Sequence, residues 1–327
     1  MAELPAVSIV ICTYNRPVAL QRLIDNCLKQ ASPAGLPFEI IIADNSPTGY
    51  AQALVQTFTH AHAPVRWIQA SPANISIARN HGIAAAQAQI IAFLDDDMTI
   101  ETGWLDQIYA TLQHSGADIA LSSVTPVTDK PPPAWYPGID RFTRVLDMPD
   151  ATPLSTRSKG GTFGIALATS ASLWRRARCF TDAAPFDPDF GHSGGEDLDL
   201  FMRLENRQCV TVWCGSAHAR EWVPAERLQF SYLFLRAFSG GQVFAAATIH
   251  NARRPRMTAV SLSLRGAGQC LAGALLVPAY CAKGLVRGRC LTPQLAHLLF
   301  RIAGAAGKCT WFRKVPLYRL EKPSQSG

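Results

Sequence analysis

The sequence predicts an α/β fold on a mostly parallel, twisted sheet flanked by helices, with a basic α-helical extension at the C-terminal end. Three observations predict it. From Val7 to Asp97, apolar strand-like runs alternate with helix-like segments through short connections, the pattern of right-handed crossovers. Those runs end in polar or acidic residues: Thr13, Asp44 and the triplet Asp95-Asp96-Asp97. The charge is also unevenly divided. Residues 251–327 hold 13 Lys/Arg and one acid, Glu321, which leaves 18 Lys/Arg and 23 acids for residues 1–250. We therefore read residues 1–250 as one domain and 251–327 as a basic, apolar tail that calls for an anionic partner.

The elements follow in order. Val7–Thr13 is a strand rich in β-branched residues, and Tyr14-Asn15-Arg16 is the loop that leaves it. Pro17 suits the first turn of a helix with Leu20, Leu23, Ile24 and Leu28 at helical spacing. Phe38–Ala43 is a second strand ending in Asp44, and Val65–Ile68 a third. Ser71–Asn74 is a polar turn, and Ile75–Ala88 an Ala-rich helix that carries Arg79 and Asn80. Ile90–Leu94 is an uninterrupted apolar run, which suits a strand covered on both faces. Parallel sheets bind ligands outside the carboxyl ends of their strands, where Thr13, Asp44 and Asp95–Asp97 all fall. Neither a Gly-x-Gly-x-x-Gly after the first strand nor a P-loop occurs, so a dinucleotide fold and a P-loop enzyme are not supported.

Three adjacent aspartates repel one another and pay for desolvation, which points to a counter-charge. Hard oxygen ligands suit Mg2+ or Mn2+, shared with substrate phosphates. A solvated acidic turn capping the next helix is the alternative, and the triplet alone leaves both open. Further on, Ile119–Val124 reads as a strand, Lys130–Pro137 as irregular because of its prolines, and Arg157–Gly161 as a mobile basic loop. Thr162–Ser172 is strand-like, with small residues. Gly194-Gly195 then leads into a helix over Glu196–Glu205 whose first turn holds Glu196, Asp197 and Asp199. Acids there interact favourably with the helix dipole, a structural reading that stands beside a catalytic one. The nine cysteines lack any Cys-x-x-Cys pair and imply a reducing compartment; the spacing of Cys209, Cys214 and His218 fits no common zinc pattern. The N-terminus has no basic region of the kind that opens a signal peptide.

The chain resembles the family 2 glycosyltransferases, the inverting group with the GT-A fold that builds bacterial polysaccharides and glycolipids. Val7–Arg16, Ile41–Ser46, Ala78–Gly82, Phe93–Asp97 and Gly194–Leu200 carry the resemblance, in order and at the right spacing. It implies a nucleotide-diphosphate sugar donor, most often UDP-linked, and a saccharide or lipid-linked acceptor. It also implies a nucleotide-binding set of Thr13, Tyr14, Arg16, Asp44, Arg79, Asp95 and Asp96, with Thr13 and Asp44 at the base and Asp95 near the ribose. Asp97, with Asp95 and His218, would hold Mn2+ or Mg2+ against the diphosphate. Asp197 would be the general base for the acceptor hydroxyl, with Glu196 as the neighbouring alternative. Arg220 and Arg227 are further candidates for the diphosphate. A sugar nucleotidyltransferase would place a Gly-rich basic loop after the first strand, where this chain has Thr-Tyr-Asn-Arg-Pro. A catalytically silent nucleotide-sugar-binding or membrane scaffold protein is the reading outside enzymes.

The tail predicts Leu228–Thr248 as a helix interrupted at Gly240-Gly241, then an uncharged run, Gly266–Ala282, broken by Pro278. Leu291–Trp311 is a second apolar stretch, with Arg301 and Lys308 inside it. Basic residues beside apolar helices fit an anionic membrane surface, and hence a cytoplasmic enzyme peripheral on the inner face of the cell membrane. A helical hairpin packed on the catalytic domain or on a second subunit of a homo-oligomer is the alternative, and a span or re-entrant hairpin the third. Nucleic acid is not expected, because aromatics are sparse among these basic residues.

Overall fold

The computed structural model describes residues 4–30, 35–156 and 168–316. Val7–Thr13 forms strand β1, Pro17–Leu28 helix α1 and Phe38–Asp44 strand β2, and every residue of both strands is buried. Short helix α2 (Ala51–Gln56), strand β3 (Val65–Gln69), helix α3 (Ile75–Ala85) and strand β4 (Ile90–Asp95) complete a parallel half-sheet in the order β3-β2-β1-β4. Two hydrophobic clusters cover its opposite faces, one around Ile9, Ile11 and Ile40 and the other around Val10, Ile41 and Phe93. Burial on both sides is why β1, β2 and β4 read as continuous apolar runs. The register sets Thr13 against Asp44 and Cys12 against Asp95, so the three carboxyl ends share one edge.

Beyond β4 the sheet becomes mixed. Strand β5 (Met98–Ile100), helix α4 (Trp104–Ser115), strand β6 (Ile119–Val127) and the two-residue strand β7 (Pro153–Leu154) come next. Strand β8 (Ser172–Arg175) then runs antiparallel between β4 and β6. Helices α5 (Arg176–Cys179) and α6 (Glu196–Asn206) lead to the long strand β9 (Thr211–Trp222), parallel to β6 and antiparallel to β5. The expected α/β architecture is therefore present, with its parallel character concentrated in the first half. Residues 130–137 form no helix or strand, as their prolines dictate. The expected basic loop Arg157–Gly161 lies outside the described residues, as does most of the strand-like stretch after it. Helix α3 ends three residues earlier than its composition suggests. Its last carbonyls are captured instead, Ala85 by Arg66 at 2.8 Å and Ala86 by Arg176 at 2.6 Å.

Three helices follow among the described residues: α7 (Phe230–His250), α8 (Pro255–Val286) and α9 (Pro293–Cys309). The expected interruption at Gly240-Gly241 does not occur, and α7 runs unbroken through both. Close approach, not a break, accounts for the second glycine: a Cβ on Gly241 would overlap the Gly304 carbonyl of α9. Gly307 of α9 is pressed in the same way against the Phe238 carbonyl. Gly240 faces open space. Gly241→Ala is accordingly expected to destabilise the protein by about 1–3 kcal/mol through overpacking. Gly240→Ala should stabilise it by about 0.5–1 kcal/mol, as an alanine in an exposed helix interior does. Thermal unfolding of the two variants checks the pair. Helix α9 also shares a core with the body, where Phe300, Ala296 and Ala303 join Tyr136, Phe142, Leu233 and Ala237.

Candidate active site

At the end of β1, buried Thr13 donates to Asp96 Oδ2 at 2.8 Å and contacts the Tyr50 hydroxyl. Arg16, in the following loop, reaches Asp96 Oδ1 at 2.9 Å and Asp97 Oδ2 at 3.2 Å. Arg227 approaches the same Asp97 oxygen at 3.3 Å and Glu221 at 3.6 Å. Tyr14 is half-buried in the same loop. Desolvation by the packed strand ends pushes Asp95 up to about 7, opposed by Arg79 and reinforced by Asp97. This occurs even though 41% of the Asp95 side chain stays open. Burial likewise lifts Asp96 to about 6, against the pull of Arg16, and Glu221 to about 7 beside Asp97. Burial is the main cause of all three shifts, with the neighbouring arginines opposing it.

Arg79 joins this edge to helix α6. Helix α3 can lie on β1 because Gly82 faces Val10, where a Cβ would collide with its side chain. Three residues earlier on that helix, Arg79 is 4% exposed. Its Nη1 donates to Glu196 Oε1 at 2.7 Å and Asp197 Oδ1 at 2.6 Å, and its Nη2 lies 3.7 Å from Asp95. Its guanidinium also stands over the Phe186 ring at 5.3 Å. Burial alone would lower the guanidinium's affinity for its proton, but Asp197, Glu196 and Asp95 together outweigh it and raise the value.

The glycine pair before α6 is required by geometry. Gly195 has φ of 151°, and a Cβ on it would overlap Val243 of α7. The turn it makes delivers two acids of different accessibility. Glu196 is 2% exposed, with one oxygen on Arg79 and the other accepting from the Gly195 N–H at 2.7 Å. Burial, then the neighbouring Asp197, raises its pKa. Asp197 keeps 21% of its side chain open, and Thr169 supports it through its backbone N–H at 3.2 Å and its hydroxyl.

Two contributors were not foreseen from the sequence. Thr169 is one. The other is Arg144, buried in the long connection between β6 and β7 and bridged to Val124. It donates to the carbonyls of Ser122 at 3.0 Å, Ala168 at 3.4 Å and Ser170 at 2.5 Å, on both sides of Thr169. Burial pulls its pKa down to about 10 against Glu221, Asp95 and Asp197. No sequence signal marks either residue, because each acts on partners distant along the chain.

Other expected residues are placed differently. Asp44 is fully buried, and its carboxylate accepts from the N–H groups of Ser46 and Ala51, each at 2.9 Å. It fastens the start of α2 and presents no oxygen to solvent. His218 is exposed and bonds Ser123 at 2.7 Å. The β9 residue beside the Asp97 backbone is Trp222, at 2.8 Å, so His218 lies about 13 Å back along the strand at the usual rise per residue. Glu221 takes the place beside Asp97 that the sequence assigned to His218. Arg220 pairs with Glu101 at the surface, 2.8 Å away. Among the described residues, Asp187, Asp199 and His250 also gather with ligand atoms within 4.8 Å. There Asp199 is already held by Arg203 at 2.9 Å and Asn251 at 2.8 Å, which ties α6 to α7.

The chemistry of the donor set fits a divalent cation at the strand ends. Asp95 is open to solvent on one side, and both it and Asp97 offer hard oxygens at the same strand end. The group can bind an anion through its arginines and a cation through its aspartates, and it sets an accessible carboxylate, Asp197, beside them.

Comparison with known proteins bears on the family and the fold. The succinoglycan biosynthesis protein ExoM of Rhizobium meliloti is 28% identical over 274 residues, 83% of this chain and 84% of that protein. A validoxylamine A glucosyltransferase of Streptomyces hygroscopicus subsp. limoneus is 25% identical over 223 residues, 62% of this chain and 48% of its own length. The crystal structure of S. aureus TarS 1–349 in complex with UDP shares the fold, with a TM-score of 0.54 at 15% identity, covering 94% of this chain and 91% of that one. The expected GT-A type of architecture is borne out. The family model for glycosyl transferase family 2 matches residues 8–177, more than half of the chain. The protein is a glycosyltransferase that belongs to glycosyl transferase family 2.

Proposed function

We propose that this enzyme moves a sugar from a nucleoside-diphosphate donor, UDP-linked in the first instance, to a hydroxyl of a saccharide or lipid-linked saccharide, with inversion at the anomeric carbon. The observation that carries the reading is Arg79, which spans Asp95 at the strand ends and Asp197 at the helix start. A relative named for succinoglycan biosynthesis supports a saccharide acceptor, and a UDP-bound structure of the same fold supports the donor class.

The chain's own residues divide the work. Arg16 and Arg227 present cationic groups where a diphosphate would lie, with half-buried Tyr14 in the same loop and buried Thr13 bonded to Asp96. Asp95 and Asp97 would hold Mn2+ or Mg2+, which when bound neutralises charge on the leaving diphosphate as a Lewis acid. Asp197 takes the proton of the acceptor hydroxyl as that oxygen attacks the anomeric carbon. One base and one displacement invert the centre, so no enzyme nucleophile is needed. Glu196 is shut away from substrate and serves as the buried partner of Arg79.

Calorimetric titration with UDP, GDP, CDP and TDP, with and without Mn2+, tests the proposal. One nucleotide is expected to bind in a metal-dependent way. Asp97→Ala should weaken that binding by at least about tenfold, the scale on which groups supporting a bound metal act. Failure of all four nucleotides to bind would sink the donor assignment.

A further inference from the structure

Helix α8 is where the molecule leaves apolar surface uncovered. It is 32 residues long and apolar enough to cross a membrane by length and composition, yet only 11% of its most apolar window is buried. Three glycines are its only buried residues, and most of its large exposed apolar side chains, Leu276 at 50% exposure apart, lie on one side. Gly266, Gly273 and Gly284 are buried: a Cβ on Gly266 would meet the Ala305 carbonyl at 2.6 Å, and one on Gly273 the Ile302 side chain at 2.5 Å. Met257, Val260, Leu264, Leu271, Leu275, Leu285 and Val286 form the other face, with exposure from 60% at Val260 to 89% at Val286. At about 100° per residue these seven fall in one stripe roughly opposite the three glycines. Arg265 and Lys283, both exposed, lie at its edge, where long cationic side chains reach the headgroups of a bilayer.

Charge decides between the partners that could cover this stripe. Arg253, Arg254 and Arg256 precede it, Arg287 and Arg289 follow it, and residues 251–320 contain no Asp or Glu. A second copy pairing through α8, parallel or antiparallel, would set cations against cations. An anionic lipid surface supplies the complement, because each Lys or Arg near it is attracted to the headgroups. Packing decides the orientation. Helix α8 rests along α9, with Cys309 Sγ reaching the Ser263 carbonyl at 3.3 Å and Lys308 Nζ reaching Gln269 at 3.0 Å. Helix α9 in turn sits on α7 of the catalytic body through Gly241 and Gly307. Standing α8 upright in a bilayer would carry Arg301, Lys308 and α7 in with it.

We infer that the outer face of α8 seats this enzyme flat on an anionic phospholipid surface, with α9 as the spacer to the catalytic domain. The inference does not rest on the donor or acceptor chemistry. Sedimentation with phosphatidylcholine vesicles, plain or with about 30% phosphatidylglycerol, tests it. Binding to the anionic vesicles should be at least about tenfold stronger and should fall in high salt. Leu271→Glu/Leu275→Glu, at exposed positions, should keep the melting temperature and the nucleotide binding of the parent and lose vesicle binding by tenfold or more. Equal partition into both vesicle types, or a double variant that binds like the parent, overturns the inference. So does a lipid-free dimer in sedimentation velocity that the double variant dissolves. Release from cell membranes by alkaline carbonate supports the flat seat; retention through that wash overturns it in favour of a span.

Discussion

Asp197→Asn is expected to lower turnover by about 10²–10⁴-fold while nucleotide affinity changes little, the range in which a general base contributes. The substitution keeps the size of the side chain and one acceptor oxygen for Arg79 and the Thr169 hydroxyl, but it replaces the oxygen that faces the Thr169 N–H and removes the carboxylate that accepts the proton. Arg79 retains Glu196 at 2.7 Å, so the buried cation is not orphaned and the fold should survive. Release of nucleotide from whichever sugar donor binds, measured with acceptor and with water alone, gives the rate; calorimetry gives the affinity. Turnover equal to that of the parent would remove Asp197 from the mechanism. Loss of nucleotide binding in step with turnover would instead place Asp197 in donor recognition. Glu196→Gln separates the neighbours: its oxygens are enclosed by Arg79 and the Gly195 N–H, so its effect should be mainly on stability.

Much of this site was legible because it is built from strand ends. Apolar runs with both faces buried declare themselves as Val7–Thr13, Phe38–Asp44 and Ile90–Asp95 do, and the parallel register then fixes what lies side by side. The sequence therefore brought Thr13 and Asp95–Asp97 together correctly. It differs from the structure where a local signal was read without the packing around it. Asp44 sits at a strand end like the others, but the Ser46 N–H of the following loop takes one of its oxygens and the Ala51 N–H at the start of α2 the other. His218 lies on the correct strand yet several residues from the carboxyl edge. Gly240-Gly241 looked like a helix break because propensity counts glycine as a cost, whereas the α9 backbone needs the room. Arg144 and Thr169 were invisible for a different reason. Their meaning comes from contacts with residues 20 to 30 positions away, for which no spacing rule exists.

Arg79→Met is the substitution expected to cost most in stability, about 3–5 kcal/mol, as when one partner of a buried ion pair is removed. Methionine fills similar space and should still pack on Phe186, so loss of volume is not the main cause. What remains is Glu196, 2% exposed and without its counter-charge. Burial already raises the Glu196 carboxyl above the ordinary carboxylate range in the parent, and losing Arg79 raises it further. The sign of the pH dependence follows. A carboxyl whose folded value exceeds its unfolded one binds more protons in the folded state, so its stabilising share is complete below the unfolded value and is lost as pH rises through the folded one. The deficit of Arg79→Met should accordingly be smaller at about pH 5 than at about pH 8. Adding Glu196→Gln should recover much of it at the higher pH, since no charge is then left buried alone. Urea unfolding of the single and double variants at both pH values measures all four quantities. A deficit independent of pH, or one that Glu196→Gln fails to relieve, would show that Arg79 acts on stability through packing and not through its buried carboxylate.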